Sequence, residues 1–298
     1  MNILVIDIGG TAIKYAVMDP EQNFLDKGSV ATPDSREKIV ETIGRLYDHT
    51  ESCRGIAISI TGIIDSKNGY VAMGGALRYN DGFFLRDALS PRCPVPITME
   101  NDAKCAALAE AAAGSLKDVE NGIVLIFGTM IGGGIIIDHK LFRGNHFSAG
   151  EVSYIISDRD GVPSYDGIWG NRCGVPRLCR LYAQSKGLPE AQVDGRYVFD
   201  AVNAGEAEAI DALDRYSYEA AVQIFNFQTV FDPDRFAIGG GISAQPAFIN
   251  SIRAHLEKLY SACPYFVPPA EVVACKFRND ANLYGAYQCF IDEYGLQK

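Results

Sequence analysis

Two stretches of this 298-residue chain share one layout. "NILVIDIGGTAIKYAVM" (2–18) and "GIVLIFGTMIGGGIIID" (122–138) each read as an apolar strand, a glycine turn and a second apolar strand. A chain that opens two halves alike is best accommodated by two related α/β lobes facing a cleft. The surrounding pattern agrees. "NFLDKGSVATP" predicts a third strand ending at Pro33, so the first lobe begins as a meander. Helical spacing follows through Ile39, Ile43 and Leu46, with Ser35 as a start signal. "GIAISITG" and "PVPITMEND" predict buried strands, and "AKCAALAEAAAG" an alanine-rich helix ending at Gly114. Strands alternating with covering helices give the α/β class.

The polar break "SLKDVENG" marks a boundary, which gives an N-terminal lobe of 1–118 and a second lobe of 119–280. In the second lobe, 175–231 reads as mostly helical. "RFAIGGGIS" predicts a strand and turn, "AFINSIRAHLEKLY" a helix and "AEVVAC" a strand. The last helix, 281–298, is expected to pack back on the first lobe.

Composition narrows the function classes. The net charge of -10 disfavours nucleic acid, whose phosphate backbone requires clustered Lys and Arg. ATP needs only a few local donors. No charged-then-apolar leader and no apolar run of about 18 residues is present, so the expectation is a cytoplasmic chain without membrane contact. The eight cysteines form no C-x-C or C-x-x-C pair and read as reduced thiols.

The glycine turns allow two readings. "DIGGT" fits neither common phosphate motif, and Gly-Gly between strands is a standard hairpin. Alternatively, Gly9 and Gly10 let backbone amides approach phosphate oxygens, Thr11 adds a hydroxyl, and Asp7 holds water around Mg²⁺. "FGTMIGGG" supplies Thr129, Gly132 and Gly133 after a second strand, and "IGGGIS" supplies Gly240 after a third. Three such turns favour a nucleotide held between two lobes. Asp102 in "ITMENDAKCAALAE" likewise reads either as a helix N-cap or as a carboxylate accepting a hydroxyl proton during phosphoryl transfer.

The chain resembles the ROK family of bacterial sugar kinases, repressors and uncharacterised reading frames. The resemblance rests on "DIGGTAIK" (7–14), "ENDAKCAALAE" (100–110), "GTMIGGGI" (128–135), "RGNHFSAGE" (143–151) and "GGGIS" (239–243), in family order along nearly the whole chain. It implies an actin-like, ribonuclease H-like fold of two lobes around a central cleft, with ATP in the cleft and the sugar beside it. It implies Asp102 as the base and Asn101 and Glu151 as sugar ligands. MgATP would be the phosphoryl donor and a C6 hydroxyl the acceptor. A homodimer is the family expectation.

The departures from the family pattern are informative. Ser153 and Tyr154 stand where many members have Gly and His, and no cysteine cluster follows, so no structural zinc is expected. Without that histidine the space around C1 is expected to open, as in the branch that resembles β-glucoside kinases acting on cellobiose. "MGGALRYNDGFFLRDAL" (73–89) resembles that branch too; there Gly74 and Gly75 either let the chain approach the sugar or simply make a turn. Tyr79, Phe83 and Phe84 read as sugar-stacking or as core. Met130 replaces a glycine and would be strained if φ there is positive. Trp169 reads as core, and His146 as a solvated loop residue.

A β-glucoside kinase is therefore the leading expectation. The alternatives within the class are a glucokinase and an N-acetylmannosamine kinase. Outside it stand a non-catalytic sugar-binding protein and a repressor. A strand beginning at Asn2 and the acidic charge argue against the repressor's DNA-binding region.

Overall fold

The computed structural model describes residues 2–157, 164–263 and 267–295, so residues 296–298 of the expected last helix lie outside it. The chain divides into two compact units. Unit 1 comprises Met1–Gly114, Leu141–Ala149 and Asn279–Lys298, and unit 2 comprises Ser115–Lys140 and Gly150–Arg278. The first crossing falls at the start of the polar break, four residues before the lobe boundary read from the sequence. The segment Leu141–Ala149, assigned by sequence to the second lobe, groups with unit 1.

The first stretch of unit 1 holds β1 (Asn2–Ile8), β2 (Ala12–Met18), β3 (Phe24–Ala31), α1 (Arg36–Asp48) and β4 (Cys53–Ile60). A small hairpin of β5 (Ile63–Asp65) and β6 (Tyr70–Met73) follows, then α2 (Leu85–Leu89), β7 (Ile97–Asn101) and α3 (Asp102–Ala113). Unit 2 holds β8 (Gly122–Phe127), β9 (Ile131–Ile137) and β10 (Lys140–Leu141), whose last residue begins the segment grouped with unit 1. It continues with α4 (Trp169–Cys173), α5 (Val175–Lys186), α6 (Gly195–Asn203), α7 (Ala207–Phe231), β11 (Arg235–Gly239), α8 (Pro246–Ala262) and β12 (Glu271–Ala274). The chain then returns to unit 1 as α9 (Ala281–Tyr294).

The two principal sheets have equivalent strand orders, β3-β2-β1-β4-β7 and β10-β9-β8-β11-β12. In unit 1 the first three strands form the antiparallel meander, and β4 and β7 add in parallel. In unit 2, β8 pairs with β9 antiparallel and with β11 in parallel, and β11 pairs with β12 in parallel. The layout shared by 2–18 and 122–138 thus extends through both sheets.

Alternation sorts unit 1 into two cores. On β1, Leu4, Ile6 and Ile8 face a cluster with Ile39 and Ile43 of α1, whereas Ile3 and Val5 face Leu283, Tyr287 and Phe290 of α9. The alanines of α3 leave room for α9, and at Gly285 a side-chain carbon would stand 1.7 Å from the Cys105 carbonyl oxygen. Ser35 caps α1 by accepting from the Lys38 N–H. In unit 2 the fully buried Trp169 packs edge-on against Phe127 at 6.0 Å, so it belongs to the core. No helix among the described residues is long and apolar enough to cross a membrane.

Candidate active site

Strand register brings distant residues of unit 1 into one row. Lys14, Asp7, Ser59 and Glu100 are successive cross-strand partners on β2, β1, β4 and β7. Partners in register share a face, and the odd residues of β1 place this row on the α9 side. Asp7 is 6% exposed. Its Oδ1 accepts from Ser59 Oγ (2.8 Å) and from Asn282 Nδ2 of α9 (3.0 Å). Its Oδ2 is 3.9 Å from Lys14 Nζ.

The row lies just before the C-terminal strand ends, where the turns begin. Gly9 N–H donates to the Ala12 carbonyl at 3.1 Å, closing the β1–β2 turn. Neither Gly9 nor Gly10 has positive φ, so the turn is not one of the mirror-image hairpin types. Gly10 and Thr11 are exposed. Gly75, at φ +60, lies against Gly62; a side-chain carbon there would stand 3.2 Å from the Gly62 nitrogen. The loop is tied by Thr61 Oγ1 to the Gly74 carbonyl at 3.0 Å and by Gly74 N–H to Asp81 Oδ1 at 2.7 Å.

Asn101 and Asp102 end β7 and begin α3. Asn101, not Asp102, is the N-cap: its Oδ1 accepts from the Lys104 N–H at 3.1 Å. Asn101 Nδ2 donates to the Gly62 carbonyl at 2.9 Å, which leaves one N–H of the amide for another acceptor. Asp102 is released from capping and sits in the first turn, with Oδ1 accepting from the adjacent Ala103 N–H (2.8 Å). Burial, reinforced by the charge of Asp7, pushes its carboxyl up to about 6 against the lowering effect of that N–H. A carboxylate with that affinity holds a proton usefully near neutrality.

Unit 2 has its own glycine loops. Thr129 is exposed, and Gly128 is open enough that a side-chain carbon would meet nothing nearer than the Met130 oxygen at 3.7 Å. The Val175 N–H at the start of α5 donates to the Gly128 carbonyl at 2.8 Å. Gly132 and Gly133 lie within β9, not in the turn before it, with Gly132 opposite Ile126. Gly240 has φ +90, and a side-chain carbon there would collide with the Phe127 carbonyl at 2.0 Å. Gly133 and Gly150 approach each other closely, which sets the root of Glu151 against β9.

The residues that depart from the family pattern, and the aromatic candidates, have local partners or lie exposed. Met130 does not have positive φ and so is not strained; its sulfur accepts from Tyr165 Oη at 3.6 Å. Ser153 is 6% exposed and bonds both backbone groups of Ile131, at 2.9 and 2.6 Å, so it secures the start of β9. Tyr154 remains 47% exposed. Tyr79 donates to the Pro33 carbonyl, Phe83 lies under the Arg36 guanidinium, and Phe84 is half-exposed against Tyr70. His146 is exposed. Among the described residues no cluster of three or more His, Cys, Asp or Glu side chains is arranged to hold a metal.

Sequence reasoning missed Lys14, Ser59, Glu100, Lys104, Arg143 and Asn282. Ser59 and Asn282 carry no motif signal of their own and become visible only through the fold. Lys14, Glu100, Lys104 and Arg143 lie inside the family motifs but had no assigned task.

The ROK family model matches residues 3–293. The chain belongs to the ROK family. A protein of Klebsiella pneumoniae named beta-glucoside kinase is 34% identical over 296 residues, 99% of this chain and 97% of that one. A ROK family protein from Streptococcus pneumoniae TIGR4, solved in complex with sucrose, superposes with a TM-score of 0.89 at 31% identity, covering 98% of this chain and 99% of that one. A ROK family glucokinase from Streptomyces griseus, solved with glucose and AMPPNP, superposes with a TM-score of 0.83 at 27% identity, covering 96% and 98%. The fold of this ROK chain is accordingly the actin-like ATPase fold.

Proposed function

We propose that this ROK protein is an ATP-dependent carbohydrate kinase that transfers the γ-phosphate to the C6 hydroxyl of a β-glucoside such as cellobiose. The observation that carries the proposal is Asp102, a partly buried carboxyl lifted to about 6 where β7 passes into α3, beside the Asp7 row. Full-length similarity to the Klebsiella pneumoniae protein supports the β-glucoside as acceptor.

In the reaction, Asp102 accepts the proton of the attacking hydroxyl. Asn101 and Glu151 orient the sugar, and the Gly75 loop lets backbone approach it. The amides of Gly9, Gly10 and Thr11 in unit 1, and the loops at Thr129 and Gly240 with the adjoining Gly132–Gly133 strand in unit 2, are the candidate phosphate contacts. The exposed Gly10 and Thr11 and the open Gly128 fit close approach by phosphate oxygens. Asp7 fits an Mg²⁺ held through water, because its Oδ1 already accepts two hydrogen bonds and Mg²⁺ keeps several waters. The ion would offset phosphate charge. A cytoplasmic location, where ATP is supplied, and a homodimer complete the proposal.

The test is ATP-dependent phosphorylation of cellobiose, glucose and N-acetylmannosamine, side by side with Mg²⁺. Preference for cellobiose is expected. Preference for a free monosaccharide would overturn the choice of acceptor, and no turnover of any sugar would overturn the kinase. Asp102→Ala is expected to lower kcat about 10²–10⁴-fold while the protein remains folded.

A further inference from the structure

The segment Leu141–Ala149 leaves unit 2 after β9, groups with unit 1 and returns at Gly150. Three polar ties hold it. Arg143 Nε donates to Glu100 Oε2 at 2.6 Å, Lys104 Nζ donates to the Phe147 carbonyl at 2.5 Å, and the Ala149 N–H closes the loop on the Arg143 carbonyl at 3.2 Å. Glu100 and Lys104 are both fully buried. Phe147 has φ +57, a left-handed conformation that is costly for a bulky residue. Its carbonyl is the group that Lys104 grips.

Stability gives a poor account of these charges. A buried ion pair is commonly no better than apolar residues of similar volume. Their placement gives a better one. Glu100 precedes Asp102 by two residues and Lys104 follows it by two, so both anchors flank the candidate base. The segment's other end leads directly to Glu151. Two residues of chain reach at most about 7 Å, so fixing Ala149 confines the root of Glu151.

We propose that Glu100–Arg143 and Lys104–Phe147 are positioning pairs, which fix the segment leading into Glu151 on the strand and helix that carry Asn101 and Asp102, so that sugar affinity depends on them. The role of these pairs rests on the kinase reading above.

The experiment uses the full chain with Arg143→Met, Lys104→Met, Arg143→Lys and the double variant Glu100→Gln/Arg143→Met. KM for cellobiose, KM for MgATP, kcat and thermal midpoint are measured, together with hydrogen exchange without sugar. Arg143→Met and Lys104→Met are expected to raise the sugar KM at least tenfold, to leave the ATP KM within twofold and to speed exchange at the Ala149 and Val152 amides. Arg143→Lys should recover part of the sugar KM. The double variant, which removes both charges of the Glu100–Arg143 pair, should recover the thermal midpoint but not the sugar KM. An unchanged sugar KM in folded variants, or a sugar KM that recovers together with the midpoint, overturns the proposal and leaves the kinase intact. If the wild type phosphorylates no sugar, the kinase reading fails, and exchange then decides the anchoring: unchanged rates at Ala149 and Val152 overturn it.

Discussion

Asp102, the proposed base, has a raised proton affinity that costs the fold stability. Its proton affinity is raised from 3.8 to about 6, chiefly by burial. The folded chain therefore binds that proton more tightly than the unfolded chain does. Stability from this group is full below about pH 4 and is lost as the pH rises through about 6, with up to about 3 kcal/mol forgone above that. Asp102→Asn should melt a few degrees higher than the wild type at pH 7.5, and the difference should shrink near pH 4.5; thermal melts at both values check it. The same affinity predicts that kcat/KM falls about tenfold per pH unit below pH 6, read from a pH–rate profile. Positions near the glycine turns differ more sharply than their sequence suggests. Met130 carries no backbone strain, whereas Gly240 combines φ +90 with a closed approach to Phe127. Gly240→Ala should abolish or severely weaken ATP binding, while Met130→Gly should leave the ATP KM within about threefold; titration with nucleotide separates the two. A run such as "IGGGIS" does not reveal which glycine bears the constraint, because only the backbone path past Phe127 decides it.

Among the elements, alternation in β1 and the Ser35 cap were legible because both are local. The row Lys14–Asp7–Ser59–Glu100 was not, since Asp7, Ser59 and Glu100 lie on strands whose paired residues are more than 40 positions apart and meet through register alone. A slip of one residue would send each of these side chains to the other face of its strand. Asn282 escaped notice for the same reason: nothing near it in sequence indicates a partner at Asp7. The motif residues Asp102 and Asn101 were legible as a pair, yet their division of labour was not. Asp and Asn are about equally good caps, and the choice of Asn101 depends on where β7 stops. The crossing of α3 and α9 offers a stringent test of packing. Gly285→Ala places a methyl group within 1.7 Å of the Cys105 oxygen, so the helices must part. A loss of about 1–3 kcal/mol or more is expected, read as a lower urea midpoint.

At the scale of the whole molecule, the repeated sheet order was foreshadowed by the paired opening stretches, whereas the excursion of Leu141–Ala149 had no signal in composition or periodicity. The chain passes between its two units four times. A truncation after Arg278 strips Leu283, Tyr287 and Phe290 from the face formed by Ile3, Val5 and Met18. Those three side chains contribute about 5 kcal/mol or more, a large share of the roughly 5–15 kcal/mol that holds a typical domain. The shortened chain should be insoluble or lose cooperative unfolding, which calorimetry would show. The order of the segments also has a consequence for biosynthesis. The strands of the first sheet emerge from the ribosome early, but α9 follows only after the whole second unit has been translated. At about 5–20 residues per second, one face of that sheet waits roughly 8–30 s for its cover, long enough to need shelter from a chaperone.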